Sequence, residues 1–208
     1  MTNKQGNTPA RLTKRGAATR QRIIEGAANL VLRNGVEGTS LDEVMAETGV
    51  SKSQLYHYFA DKDAIVAEVI RLQVGNVLAA QSPQLGAIDS MKTLRRWCNA
   101  IIHLTRVQGS QEGCPIGSLA SELSNRSEGA RCVLADGFEN WGGQIEAGLR
   151  KMRDRGELAK TADPEELAIA ILGAVQGGLL LAKTMRAVRP VELTLDMALA
   201  LVERHLAR

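Results

Sequence analysis

The stretch GVSKSQLYHYFADK, Gly49 to Lys62, concentrates hydrogen-bonding chemistry. It carries the hydroxyls of Ser51 and Ser53, the carboxamide of Gln54, the phenols of Tyr56 and Tyr58, the imidazole of His57 and the ammonium groups of Lys52 and Lys62. It also holds three of the chain's six aromatic residues, Tyr56, Tyr58 and Phe59. No base stands beside a nucleophile here, and His57, His103 and His205 share no ligand spacing with the cysteines or carboxylates, so neither catalysis nor a metal or other cofactor is expected. What the set can do is donate hydrogen bonds and positive charge. On a helix, Gln54 suits adenine and Lys52 suits guanine or a phosphate, with the serines as sequence-tolerant donors. Tyr56 and His57 offer donors to flanking phosphates. Lys62, beside the start of the next helix, adds charge where backbone amides already favour an anion.

Two short helices are expected to position these groups. TSLDEVMAETG has Ser40 as N-cap, Glu43 as its capping-box partner and Gly49 as the stop. VSKSQLYHYF then gives about two helical turns from Lys52, with Val44, Met45, Val50 and Leu55 between the pair: a helix-turn-helix pattern. A helix that short is not stable alone in water, so neighbouring helices must hold it. Phe59 and part of Tyr56 or Tyr58 are the expected anchors. This geometry also occurs in proteins that never touch DNA, and the pattern alone leaves both readings open.

The remaining periodicity is helical throughout, so the fold class is all-α. A first helix is expected from about Gly16 to Asn34, a fourth from Asp61 as N-cap to about Ala80, and QSPQLGA, Gln81 to Ala87, is the clearest loop. Further helices are expected at about Ala87 to Gln108, Ile116 to Asn125, Glu128 to Arg155, Pro164 to Arg186 and Val191 to Leu206. The expected division is a mobile basic arm over 1–15, a helix-turn-helix domain over 16–62 and a larger helical domain over 63–208, the fourth helix connecting them.

Composition bounds the function classes. At 208 residues, 44% hydrophobic, 24% charged and a net charge of +3, the chain reads as an ordinary globular protein. Lys4, Arg11, Lys14, Arg15, Arg20 and Arg22 all precede the first acidic residue, Glu25, as in an arm for a polyanion or a solvated tail. Cys98, Cys114 and Cys132 are odd in number and lack a CxxC pair, which fits a reducing cytoplasm. No secretory h-region follows the basic start. The run LAIAILGAVQGGLLLA, Leu167 to Ala182, is too short to span a bilayer and carries Gln176, so a buried helix and no membrane partner are expected.

The stretch TSLDEVMAETGVSKSQLYHYFADKDAI, preceded by IIEGAANLVLRNGVEG, resembles the DNA-binding domain of the TetR family of bacterial transcriptional regulators. The likeness covers about Thr19 to Val69: G-V-S-K, then L-Y-x-[aromatic or His]-F, then a lysine followed by an acidic residue. It implies a repressor that binds double-stranded operator DNA as a homodimer and leaves it when a small molecule enters the C-terminal domain. Ser40, Lys52, Gln54, Tyr56, His57 and Lys62 fall at the family's DNA-contacting positions. Ser53-Gln54 replaces the family's frequent Gly-Thr or Ala-Ser, leaving the operator sequence open, and Met45 replaces a frequent alanine, which reads as a core substitution.

For the C-terminal part, EELAIAILGAVQGGLLLAKTM is apolar nearly all round, so that helix needs partners inside and outside its subunit. Close approach at Gly173, Gly177 and Gly178 would offset their poor helix propensity. With Leu181 and a second stripe through Leu195, Leu199, Val202 and Leu206, they form the expected dimer interface, the alternative being ordinary core. EGCPIGSLASELS, Glu112 to Ser124, is similar to the family branch of lincomycin-resistance and flavonoid-responsive repressors. That likeness implies a small hydrophobic or aromatic effector. Trp97, Ile101, Cys114, Leu119, Phe138, Trp141 and Gln176 are the pocket candidates, again against plain core. Cys114, near a helix N-terminus, is either inert or an electrophile- or redox-sensing thiol with a lowered pKa. A helical enzyme and a non-specific DNA-packaging dimer are the remaining classes.

Overall fold

The computed structural model describes residues 12–207. Among them every regular element is an α-helix: α1 (Lys14–Asn34), α2 (Leu41–Thr48), α3 (Lys52–Tyr58), α4 (Lys62–Leu85), α5 (Met91–Val107), α6 (Pro115–Leu123), α7 (Glu128–Asp154), α8 (Pro164–Met185) and α9 (Arg189–Glu203). The chain forms two compact units, one up to Val69 and one from Ile70 onward, with α4 belonging to both. Lys4 and Arg11 of the expected basic arm lie outside the described residues, while Lys14 and Arg15 already form the first turn of α1 behind the N-cap Thr13.

In the first unit, α1 buries Ile23, Ile24, Ala27, Ala28, Leu30 and Val31. Its Gly26 lies so close to α2 that a Cβ there would stand 2.3 Å from Thr48 Cγ2. The capping box at Ser40 is complete in both directions, and Gly49 ends α2 in the left-handed conformation at φ 64°. Leu55 and Phe59 are 0% and 3% exposed. Burying each contributes about 1.5–3 kcal/mol, enough to hold a helix that propensity alone would not. Tyr58 is half-buried, Tyr56 is exposed, and so Phe59 is the principal aromatic anchor. The guanidinium of Arg20 sits 5.2 Å from the Phe59 ring centre and pairs with Glu68 at 3.0 Å. Met45 is half-buried, at the edge of the core rather than within it.

In the second unit α8 packs on α7 and α9, α6 on α7, and α5 on α9. The expected loop at Gln81 to Ala87 is a correction: α4 runs on to Leu85 with Pro83 inside it. Proline placed in the last turn costs few helical bonds, and Leu85 and Ile88 are 1% and 0% exposed, so burial holds that turn. Glycines permit two close crossings here. A Cβ at Gly148 would stand 2.5 Å from Ile88 Cγ2, and one at Gly178 2.3 Å from Thr194 Oγ1 of α9.

Candidate nucleic-acid interface and ligand cavity

The side chains of α3 and its N-cap divide cleanly by face. Leu55 points into the core, whereas Ser51, Lys52, Ser53, Gln54, Tyr56 and His57 are all exposed. Helix α3 is short because its ends are set locally. Ser51 Oγ accepts from Gln54 N at 3.3 Å, Gln54 Oε1 accepts from Ser51 N at 3.0 Å, and Phe59 leaves the helix in extended conformation. This capping box went unnoticed in the sequence, although S-x-x-Q at Ser51 to Gln54 is its signature. The cap takes one of the two acceptor positions of Gln54 Oε1, and Nε2 remains free to donate.

Ser40 is likewise exposed but committed to its cap: Oγ donates to Glu43 Oε2 at 2.8 Å, and Glu43 Oε2 also accepts from Ser40 N at 2.7 Å. The Ser40 amide and hydroxyl hold the Glu43 carboxyl below its ordinary range, helped by the Lys62 ammonium. Lys62 is half-buried, and its charge is therefore shared between α2 and any anion outside. The His57 ring meets Tyr58 edge-on at 4.8 Å, which steadies an exposed imidazole. Asp61 accepts from Ala64 N at 2.8 Å and so caps α4 as expected.

Within the second unit, a cavity of about 420 Å³ opens between α4, α5, α7 and α8. It brings together four of the seven expected pocket residues, Trp97, Ile101, Cys114 and Trp141. Gln176 instead lines a neighbouring cavity of about 550 Å³ with Cys114, Ser118, Lys183 and Arg186. Phe138 lines a separate groove with Gly142 and Gly143, and Leu119 lines none of these, being 3% exposed in the core. Leu119 sits on the α6 face that packs inward with Ile116 and Leu123, so its helical register removes it from the cavity.

The polar lining escaped sequence reasoning. Gln73, Asn76, Gln81, Gln84 and Gln108 all face the 420 Å³ cavity. They lie on helices read as generic, and glutamines on a helix carry no signal until another helix covers them. Trp97 Nε1 donates to Gln81 Oε1 at 2.9 Å. Trp141 Nε1 is buried without a hydrogen-bond partner among the described residues, and Gln176 Nε2 is buried with the Cys114 sulfur as its one neighbouring acceptor.

Two further expectations need correction. Cys114 caps α6, its Sγ accepting from Gly117 N at 3.5 Å, but burial pushes the thiol pKa up rather than down, outweighing that amide and the Gln176 side chain. Cys98, also buried, is pushed up to about 12 by desolvation. On α9, Leu195, Leu199 and Val202 are 0%, 4% and 0% exposed within the single subunit, so that stripe is core rather than an interface. Gly178 likewise serves the α8–α9 crossing. Gly173, Gly177 and Leu181 lie on the other side of α8, where a Cβ at either glycine would meet open space. Around them Ile169, Leu180, Met185, Leu193 and Met197 are exposed.

Residues 23–69 match the family model of bacterial regulatory proteins, tetR family, and residues 90–198 match the tetracyclin repressor-like C-terminal domain. The chain is 27% identical over 182 residues to the HTH-type transcriptional regulator LmrA of Bacillus subtilis, covering 83% of this chain and 90% of that protein. It is 25% identical over 175 residues to the HTH-type transcriptional repressor DhaR of Mycobacterium sp. strain GP1, covering 83% and 86%. A transcriptional regulator of the TetR family from Cytophaga hutchinsonii shares the fold, with a TM-score of 0.81 at 18% identity over 95% of this chain and 100% of that one. With an exposed, capped helix of hydrogen-bond donors in one unit and a walled cavity in the other, the chain belongs to the TetR family of DNA-binding transcriptional regulators, which are not enzymes.

Proposed function

We propose that the protein is a transcriptional repressor that binds its operator as a homodimer and is released by a small hydrophobic effector. The observation that carries this reading is α4 itself. Its first residues, with Lys62, belong to the α1–α3 unit, while Gln73, Asn76, Val77, Ala80, Gln81 and Gln84 further along wall the 420 Å³ cavity. A ligand that fills the cavity and displaces α4 therefore acts on the helix that leads into the DNA-contacting unit. The two recognition helices of a dimer must lie about one DNA turn apart, ~34–36 Å or a somewhat larger family spacing, so a modest displacement mismatches the grooves. Ligand then weakens DNA binding by the same coupling, typically ~1–3 kcal/mol, by which DNA weakens ligand binding.

In this reading Ser51, Lys52, Ser53, Gln54, Tyr56, His57 and Lys62 face the DNA, and Ser40 contributes through its cap. The dimer forms on the exposed side of α8 around Gly173, Gly177 and Leu181, with Leu193 and Met197 of α9 beside it. Contiguous exposed apolar surface of this kind marks an association site. The protein acts in the cytoplasm, where operator DNA is. A thiol switch at Cys114 finds less support, because a buried thiol with a raised pKa is a poor nucleophile.

The test is fluorescence anisotropy of the protein against labelled DNA from upstream of its own gene, with excess unrelated DNA present. Saturable binding that survives the competitor is expected, and binding erased by it would exclude a sequence-specific regulator of that promoter. Leu181→Arg is expected to yield monomers in sedimentation velocity and to lose operator binding. A dimer that survives the substitution would refute the α8 interface.

A further inference from the structure

We infer that the two α8 helices of the dimer cross antiparallel about a two-fold axis at Gly173 and Gly177, so that Glu139 and Glu165 of one subunit receive Lys183 and Arg186 of the partner subunit. This rests on the dimer reading above and specifies its register. Two grooves of opposite charge flank those glycines along α8. The 340 Å³ groove between α7 and α8 is lined by Glu139, Glu146 and Glu165 beside Phe138 and Ile169, with no lysine or arginine in its wall. The 550 Å³ cavity between α6 and α8 holds Lys183 and Arg186, with no aspartate or glutamate in its wall. Glu146 is paired with Arg150, whereas Glu139, Glu165, Lys183 and Arg186 are exposed and form no ion pair among the described residues.

Helical geometry sets the two charges in register. Glu165 and Lys183 are 18 residues apart, five full turns, and so project from the same side of α8. Glu165 lies eight residues before Gly173 and Arg186 nine after Gly177, about 12–14 Å to either side of glycines at which a Cβ meets open space. Ile169 and Leu180, 65% and 61% exposed, lie one in each groove, four residues before Gly173 and three after Gly177. A two-fold axis perpendicular to α8 reverses the helix direction and keeps this side on the same side in the partner. It therefore sets acid on base twice and Ile169 on the partner's Leu180 twice. An axis parallel to α8 would set acid on acid and base on base, and like charges across an interface repel. The surface is thus self-complementary in one orientation, as an isologous contact must be.

Charge reversal in the full chain without DNA tests this. Glu139→Lys with Glu165→Lys, and separately Lys183→Glu with Arg186→Glu, are each expected to weaken the homodimer at least about tenfold in sedimentation velocity at low salt, and by less in ~1 M salt, where screening is strong. Mixing the two variants restores opposite charges at both grooves, so native mass spectrometry is expected to show the heterodimer in preference to either homodimer. The chain carrying all four substitutions is expected to dimerise within about threefold of the wild type. A further measurement needs no substitution. In a mixture of nitrogen-15-labelled and unlabelled wild type, a carbodiimide is expected to form an amide between Lys183 and Glu165 or Glu139 that joins a labelled chain to an unlabelled one.

A dimer unaffected by either charge reversal, a mixture with no preference for the heterodimer, or a cross-linked dimer without that amide would each overturn the inference. If Leu181→Arg still yields monomers in that case, the α8 interface stands and only its register falls. A wild type that is monomeric throughout would remove both.

Discussion

Replacing Gln54 with glutamate separates the cap that the side chain forms from the DNA contact proposed for it. The introduced carboxylate, like the native Gln54 Oε1, can accept from Ser51 N, 3.0 Å from that oxygen in the native chain, so the capping box survives. At the first turn of α3 the added negative charge is favoured by the helix dipole, by about 0.3–1 kcal/mol. Gln54→Ala instead deletes the acceptor and costs up to about 1 kcal/mol at this exposed site. Thermal unfolding by circular dichroism is therefore expected to place Gln54→Glu level with or above the wild type, and Gln54→Ala below both. Operator affinity should not follow that order. The glutamate offers no donor in place of Nε2 and faces phosphates with a negative charge. Losing one base-edge contact costs about 1–3 kcal/mol per half-site, hence about 2–6 kcal/mol for a dimer, or roughly 30-fold to beyond 10,000-fold in anisotropy titrations. Wild-type operator affinity in Gln54→Glu would remove Gln54 from the DNA surface. Gln54→Glu melting as low as Gln54→Ala would refute the capping role.

Other perturbations test the same structure elsewhere. Lys62→Ala is expected to weaken binding to all DNA sequences and to lower the salt slope by about one per subunit, read from anisotropy at several salt concentrations; an unchanged slope would mean that Lys62 serves only Glu43. For Glu43, whose folded-state pKa is lowered by Ser40 and then by Lys62, the stabilisation is full above the ordinary carboxylate range and is lost as the pH falls through the depressed folded value. The difference in denaturation midpoint between wild type and Glu43→Gln should accordingly be constant down to the ordinary carboxylate range and shrink below it, and a difference that grows on acidification would reverse the assignment. Gly178→Ala places a Cβ 2.3 Å from Thr194 Oγ1 and 3.1 Å from Val191 Cα, and is expected to destabilise by about 1–3 kcal/mol in urea titrations. Gly173→Ala, which meets open space, should be neutral or stabilising by up to about 1 kcal/mol in the isolated subunit.

Local signals made most of the first unit legible. The caps at Ser40 and Asp61, the left-handed stop at Gly49 and the burial of Leu55 depend on residues within a turn or two of one another. That is the range over which helix-terminus chemistry acts. Where the reading failed, a distant contact decided. Pro83 and Gly86 mark a loop by local preference, yet α4 runs to Leu85 because Leu85 and Ile88 are buried, Ile88 against Gly148. Cys114 stands at a helix N-terminus, where local reasoning lowers a thiol pKa, but burial raises it.

The amino-acid sequence by itself determined the helical class, the capped helix-turn-helix and the set of donors on α3, because periodicity and capping are local and need no knowledge of the rest of the chain. It also determined that the C-terminal helices are too apolar for a solvated surface. Only the tertiary structure decided which apolar stripe serves which purpose. Leu195, Leu199 and Val202 turn inward because α9 packs on α8 and α5, leaving Leu193 and Met197 outside. The same packing gathers Gln73, Gln81, Trp97 and Trp141, from three different helices, around one cavity and leaves one indole N–H of the two without a partner among the described residues. Amphipathicity specifies that a face must be covered; what covers it depends on long-range packing that no single helix encodes.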